Sequence, residues 1–360
     1  MKNIVYFELK KILNVKKVIA LSIVLVLLCI GSFAIILAMG NWKGAAEMLS
    51  FYQGSVEGHP GIEAAKERYE ELCEQYIEPG IEMDEATWEE FNDLEYPLWL
   101  ENCDEARKSN LQKDGFTADT LVIGDTIFYA FVEEFIANYL PFIMGFVIAF
   151  LLAPVFASEY ANNMDSLLLS AKHGKKKLIF GKLIASGLVI FGAYGFVLGI
   201  FMVMSLCLHG IGDLNASFVF TADNVYIYLS SPFNFSVGEY LLILFGCSLL
   251  GCVGVGCMTL FLSSKCRNGL SASMISLACV YVPILAFKML GRNEGIVPNI
   301  LRLFHGAVMG VRTLFSDYFP VRIGGLTMTM PVISISLFCF SSVFFVVAAF
   351  QIFRKHQVQN

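Results

Sequence analysis

The chain has 360 residues, of which 56% are hydrophobic, 14% aromatic and 16% charged, and its mean hydropathy is +0.65. Soluble domains carry roughly 25% charged residues, so this composition excludes an ordinary soluble protein and points to an all-α polytopic membrane protein. The net charge of −6 is unevenly spread, because residues 41–138 hold 23 of the 31 acids and only 6 of the 25 bases, which leaves a basic membrane protein with an acidic insertion.

Residues 1–17 place Ile4, Val5, Leu9, Ile12 and Leu13 at helical intervals, with Glu8 and the lysines opposite. This predicts an amphipathic interface helix whose basic face, Lys10, Lys11 and Lys17, meets anionic headgroups. An ordinary basic flank is the alternative. The first span follows at 18–39. Its apolar stretch exceeds the 7–15 residues of a signal-peptide core, and no A-x-A-like site follows, so it reads as an anchor. Residues 40–138 read as an acidic, mainly helical outer domain. Ile62, Ala65, Tyr69, Leu72 and Tyr76 recur at helical spacing until Pro79-Gly80, and a second helix carries Trp88, Phe91 and Leu94 and ends before Pro97.

Five more spans follow at 139–157, 183–208, 239–262, 270–290 and 331–353, each long enough for about 30 Å of hydrocarbon except the short second one. The apolar run before that span extends the same helix outward. Between them lie loops at 158–182, 209–238, 263–269 and 291–330, and a tail at 354–360; the aromatic loop 209–238 has a strand-like flavour. Lys and Arg cluster at the N-terminus, in 172–182, at Lys265 and Arg267, and at Arg354 and Lys355. The positive-inside rule then puts both termini in the cytoplasm and the protein in a plasma membrane, read as bacterial. Loop 291–330 dissents with Arg292, Arg302, Arg312 and Arg322.

No catalytic constellation emerges. Gly174 and Gly181-Lys182-Leu183 have six intervening residues and no hydroxyl, so they are not a phosphate-binding loop, and no H-E-x-x-H occurs. Glu133-Glu134 lacks the arginine four residues on that a CAAX-type protease needs, since Asn138 stands there, and reads as two solvated acids at the membrane surface. Spans hold almost no ionisable residues, which disfavours an ion-driven path; Lys288 lies near an outer end. No CxxC supports a metal, and Cys73 and Cys103 are either a pair or two free thiols. Glycines in spans three and four, including Gly195–Gly199, read as packing within a subunit.

The stretch 158–182 carries more. Glu159 ends span two, Asn162 or Asn163 can cap a short helix, and Met164, Leu167 and Leu168 share one face before Gly174. A coupling element for a soluble partner and a lipid-resting surface turn both fit. The segment resembles the signature of the ABC-2 membrane family in Phe156, Glu159, Leu167, Leu168, Leu169, Ser170, Lys172, Lys175, Lys176, Lys177, Gly181, Lys182 and Leu183. It departs at Asn163-Met164, where Gly-Thr is usual, and at Ala171, where Pro is usual. The order of interface helix, six spans and a large outer domain is similar too.

That resemblance implies a permease subunit of a type-2 ABC exporter, paired with an identical or related permease and a cytoplasmic ATPase that holds ATP and magnesium. It implies ATPase-coupling residues at Glu159, Asn163, Met164, Asp165, Leu167, Leu168, His173, Lys175 and Lys176, and interface-helix residues at Phe7, Glu8, Lys10, Lys11 and Lys17. Neither a cofactor on this chain nor nucleic acid is expected. The substrate class is peptide, lipid-like or drug-like, and the acidic outer domain suits a cationic peptide. The alternative is a membrane sensor or immunity protein that binds such a peptide without transport.

Overall fold

The computed structural model describes residues 2–40, 42, 49, 51–113, 117, 119–161, 174–221, 228, 231, 233–290, 300–301, 305–316, 321–323 and 326–355. Helices α1 (Lys2–Ile12) and α2 (Val15–Met39) come first, separated at Asn14, whose side chain caps α2 by accepting from the Lys16 amide at 3.2 Å. The stretch between α2 and the remaining helices holds β1 (Gly54–Ser55), α3 (Pro60–Leu72) with a π turn at Cys73–Ile77, α4 (Glu85–Lys113) and β2 (Val122–Ile123), which pairs antiparallel with β1. Then follow α5 (Ile127–Asn138), α6 (Leu140–Leu152), α7 (Pro154–Ala161), α8 (Gly174–His209), α9 (Val237–Lys265) and α10 (Gly269–Leu290). The short α11 (His305–Gly310) and α12 (Arg312–Phe315), the hairpin β3 (Val321–Ile323) and β4 (Leu326–Met328), and α13 (Met330–Lys355) complete the chain.

Six stretches are long and apolar enough to cross a membrane: Val15–Met39, Leu140–Ala161, Lys176–His209, Val237–Lys265, Gly269–Leu290 and Met330–Phe353. All six predicted spans therefore coincide with helices, several of which run beyond the apolar window. Phe353 packs on Phe156 with ring centroids 5.1 Å apart, which puts the end of α13 beside α7 and α1. We call this end of the bundle the terminal face and the other the distal face.

Packing differs from expectation in four places. Residues 127–138, placed in the outer domain from sequence and also read as an outward extension of span two, form a helix of their own, broken from α6 at Tyr139 and packed in the bundle: Phe131, Val132, Phe135 and Ile136 are all fully buried. Phe135 stacks on Phe201 of α8 at 3.9 Å, and Phe33 of α2 meets Phe131 and Phe201 at 5.5 and 5.6 Å, so rings clamp spans one and three to α5. Helix α4 does not stop at Pro97 but runs through it. Proline removes one hydrogen bond and crowds the preceding turn, yet α4 stays packed on α3, with Phe91 stacked on Tyr69 at 4.6 Å before the proline and Leu100 buried after it, while the exposed pairs Arg68–Glu90 and Lys66–Glu101 add little.

Loop 209–238 forms a 3₁₀ turn at Phe218–Thr221 and one bridge, Ser217 to Ser236, rather than a strand among its described residues. It is fastened to α4 by the buried Arg107, which donates to the carbonyls of Ser231, Asp119 and Phe233. The span-three glycines do not pack closely within this chain, since a Cβ added at Gly187, Gly192, Gly195 or Gly199 meets nothing within 4 Å. In span four the reading holds at Gly254, where an added Cβ would lie 1.8 Å from Phe338 of α13. Cys73 is a free thiol.

Span two is broken between α6 and α7 by Pro154, which has no N–H to give. Ser263 of α9 closes the gap. Its hydroxyl donates to the Ala153 carbonyl at 2.6 Å and accepts from the amides of Phe156 at 3.0 Å and Ala157 at 3.2 Å. Backbone groups in a bilayer must be satisfied within the protein. Ser263→Ala leaves three of them without that partner, each worth about 1–3 kcal/mol when buried. The variant is expected to lower the thermal unfolding midpoint in detergent, and an unchanged midpoint would refute the role.

Candidate functional site

The terminal face is organised around one buried lysine. Helix α1 lies against α8, where Ile4 sits over Gly181 so closely that a Cβ there would come within 2.6 Å of the Ile4 methyl. Glycine at this position lets the two helices touch, and the next residue, Lys182, is carried into their seam. Its side chain is fully buried. The ammonium donates to Glu8 Oε2 of α1 at 3.0 Å and to the Val155 carbonyl of α7 at 3.1 Å, and stands 2.6 Å from Glu159 Oε1 of α7. It also lies over the Phe156 ring, 5.6 Å from its centroid.

Glu8 and Glu159 are almost wholly buried, and Lys11 of α1 adds a second cation to Glu159 Oε1 at 3.1 Å. Two acids and two bases thus balance in a place where an unpaired charge is very costly. The Glu159 Oε2 oxygen has no hydrogen-bond partner among the described residues. Rings complete the joint: Tyr160 and Phe156 of α7 flank Phe353, and Phe180 of α8 meets Phe350 at 5.9 Å.

The predicted residues divide accordingly. Glu8, Lys11 and Glu159 come together. Glu8 was expected on the polar face of α1, but it shares the packed face with Ile4 and Ile12, because a partner charge waits there. Phe7 and Lys10 are exposed, and Lys17 lines a cavity of about 240 Å³ with Glu8, Lys11, Ile12 and Pro154. Lys175 and Lys176 lie in the first turn of α8, with Lys176 exposed. Gly174 opens that helix. Asn163, Met164, Asp165, Leu167, Leu168 and His173 lie outside the described residues. Lys182, quoted in the motif but given no role from sequence, is the centre of the site.

A second charged cluster occupies the distal face. Glu133 of α5, expected to be solvated, is fully buried. It accepts from Arg312 of α12, Nε to Oε1 at 2.8 Å and Nη2 to Oε2, and from the Tyr228 hydroxyl at 2.6 Å, which in turn meets the Tyr240 hydroxyl at 2.8 Å. Arg312 also donates to Glu134 Oε2 at 2.6 Å. Both acids lie outside the six spans. Burial pushes the Glu133 carboxyl upward and Arg312 pulls it back. Burial works against the Arg312 charge too, but the two carboxylates hold its proton far more tightly than usual. Val311, next to Arg312, takes φ +58°, a strained conformation for a β-branched residue that this anchoring holds in place. The signal in the sequence was the dissenting arginine itself, which two acids neutralise.

Among known proteins, residues 2–300 match the family model described as ABC-2 family transporter protein. Neither a curated protein nor a solved structure shows a significant match.

The charge balance at Lys182 can be tested directly. Lys182→Met alone strands the buried Glu8 carboxylate and leaves Glu159 with Lys11 as its one cation, and is expected to cost about 3–5 kcal/mol. The triple variant Glu8→Gln, Glu159→Gln, Lys182→Met removes all three charges and is expected to recover most of the loss. Thermal unfolding in detergent checks this: equal effects of the single and triple variants would mean that the cluster is not a coupled ion network.

Proposed function

Because this chain belongs to the ABC-2 transporter family, we propose that the Lys182 cluster is the joint through which a partner ATPase moves the spans. Members of this family are membrane subunits without an ATPase site, and ATP is hydrolysed in a partner subunit. The chain is accordingly the permease subunit of an ABC transporter and a multi-pass membrane protein.

In this reading the terminal face is cytoplasmic. Residues 162–173 form the surface that docks on the ATPase, with Met164, Leu167 and Leu168 as the apolar knob and Asn163, Asp165, His173, Lys175 and Lys176 around it. Magnesium and ATP sit on the partner. A second permease, identical or related, completes the transporter, and the direction is export of a peptide, lipid-like or drug-like substrate. The acidic outer domain favours a cationic peptide.

One observation carries the proposal. Glu159 and Lys182 stand at the two ends of this segment, 2.6 Å apart, and both are tied to α1 through Glu8 and Lys11. Force applied to the segment therefore reaches spans two and three and the interface helix together. Changing Met164, Leu167 and Leu168 to Asp is expected to weaken co-purification of the ATPase subunit by roughly tenfold or more, as loss of a buried apolar anchor does. The melting behaviour of the permease should stay unchanged. Retained binding and retained ATPase coupling would sink the assignment.

A further inference from the structure

Span one, the start of span two and the end of span five enclose a cavity of about 670 Å³. Its shaft is apolar, lined by Leu27, Leu28, Ile35 and Ile36 of α2 and by Phe142 and Ile143 of α6. Its distal end is polar, with Glu134, Asn138 and Lys288. The lining runs from Leu27 to Met39, about 18 Å along a helix at 1.5 Å per residue. That is somewhat more than half of a hydrocarbon core roughly 30 Å thick. Length and polarity together are those of one leaflet, with the polar end at the interface.

The charges at the polar end sum to zero, Glu133 and Glu134 against Arg312 and Lys288, but the direct contacts are shared unequally. Glu134 is already engaged, by Arg312 at 2.6 Å and by the Asn138 amide at 2.5 Å. Lys288 hydrogen-bonds a neutral acceptor, the Asn138 carbonyl oxygen, at 3.1 Å, and stands over the Phe142 ring at 5.5 Å. An exposed ammonium at the mouth of an apolar shaft calls for an anion attached to a hydrocarbon chain. The volume is within the roughly 300–1,000 Å³ of small-molecule sites, enough for a glycerophosphate group and the upper part of one chain.

We propose that this cavity holds one phospholipid of the distal leaflet, its phosphate on Lys288 and an acyl chain between α2 and α6. The site is independent of the coupling joint, since it requires no ATPase.

Two residues make it testable. Trp42 lines the cavity, its indole fixed by a 2.8 Å hydrogen bond to the Ile36 carbonyl. Gly31 also lines it, and a Cβ added there meets nothing within 4 Å, so a larger side chain would grow into the cavity without a clash. With Trp88 and Trp99 changed to Phe, Trp42 is the sole tryptophan of the full-length protein. Purified in detergent, this protein is titrated with phosphatidylglycerol brominated on its chains, and Trp42 fluorescence is read.

Saturable quenching is expected. Lys288→Gln should weaken it by roughly tenfold, as the loss of one charge-assisted contact does, while Lys288→Arg keeps it and Gly31→Phe removes it. Brominated diacylglycerol, which lacks the phosphate, should quench as weakly as phosphatidylglycerol does with Lys288→Gln. The proposal fails if diacylglycerol quenches equally well, or if Gly31→Phe quenches like the parent. It also fails if Trp42 is shielded from every lipid in a dimeric preparation, which would give the cavity to a second copy.

Discussion

Everything at the terminal face depends on the Lys182 ammonium having been taken out of water. Removing a charge from solvent costs several kcal/mol even after the protein relaxes, so a fully buried lysine is tolerated only where every proton it carries has an acceptor. Glu8 of α1 and the Val155 carbonyl of α7 accept from it, and the Glu159 carboxylate of α7 pairs with it at 2.6 Å, so its partners come from two separate parts of the chain. None of the three can withdraw without leaving charge or dipole stranded in an apolar seam. The cluster therefore specifies one relative position of the interface helix, the end of span two and the start of span three. Gly181, by letting Ile4 approach, sets the distance at which those groups meet.

The distal face repeats the principle with the charges exchanged. There a buried acid, Glu133, sits at the centre, and the cation comes from a short helix near the end of the chain. Between the two clusters the contacts are rings, aliphatic side chains and neutral hydrogen bonds such as Tyr194 to Ser248 and Tyr281 to the Phe142 carbonyl, with Ser263 as a local repair where Pro154 interrupts the backbone. The bundle is thus pinned electrostatically at its ends and packed without charge between them, as expected for a protein whose middle lies in hydrocarbon.

Much of this was legible from local pattern. Apolar runs located the six spans, and the spacing around Ile62 and Leu72 located the first outer helix, which closes in a turn with Gly80 at φ +70°. What escaped were the pairings. Lys182 and Glu8 are 174 residues apart, and Arg312 and Glu133 are 179 apart. A periodicity argument puts a lone glutamate on the polar face of a helix, because solvation is the cheapest local answer. Only a distant partner reverses that preference. Pro97 failed for a related reason: the local rule says stop, while packing on α3, through Phe91 on Tyr69 and the buried Leu100, keeps α4 helical. Met164, Leu167 and Leu168, proposed as the docking knob, lie outside the described residues.

The proline at 154 has a mechanical consequence. A continuous helix carries displacement from one end to the other as a stiff rod. Span two is instead two rods meeting at Ala153, with the junction bolted to span four by a single hydroxyl. Under the coupling proposed above, torque delivered at Glu159 is divided at that bolt: part turns the remainder of span two, and part is shed sideways into span four. In that proposal this serine is a fulcrum, through which a small rotation at one face is shared between two neighbouring spans.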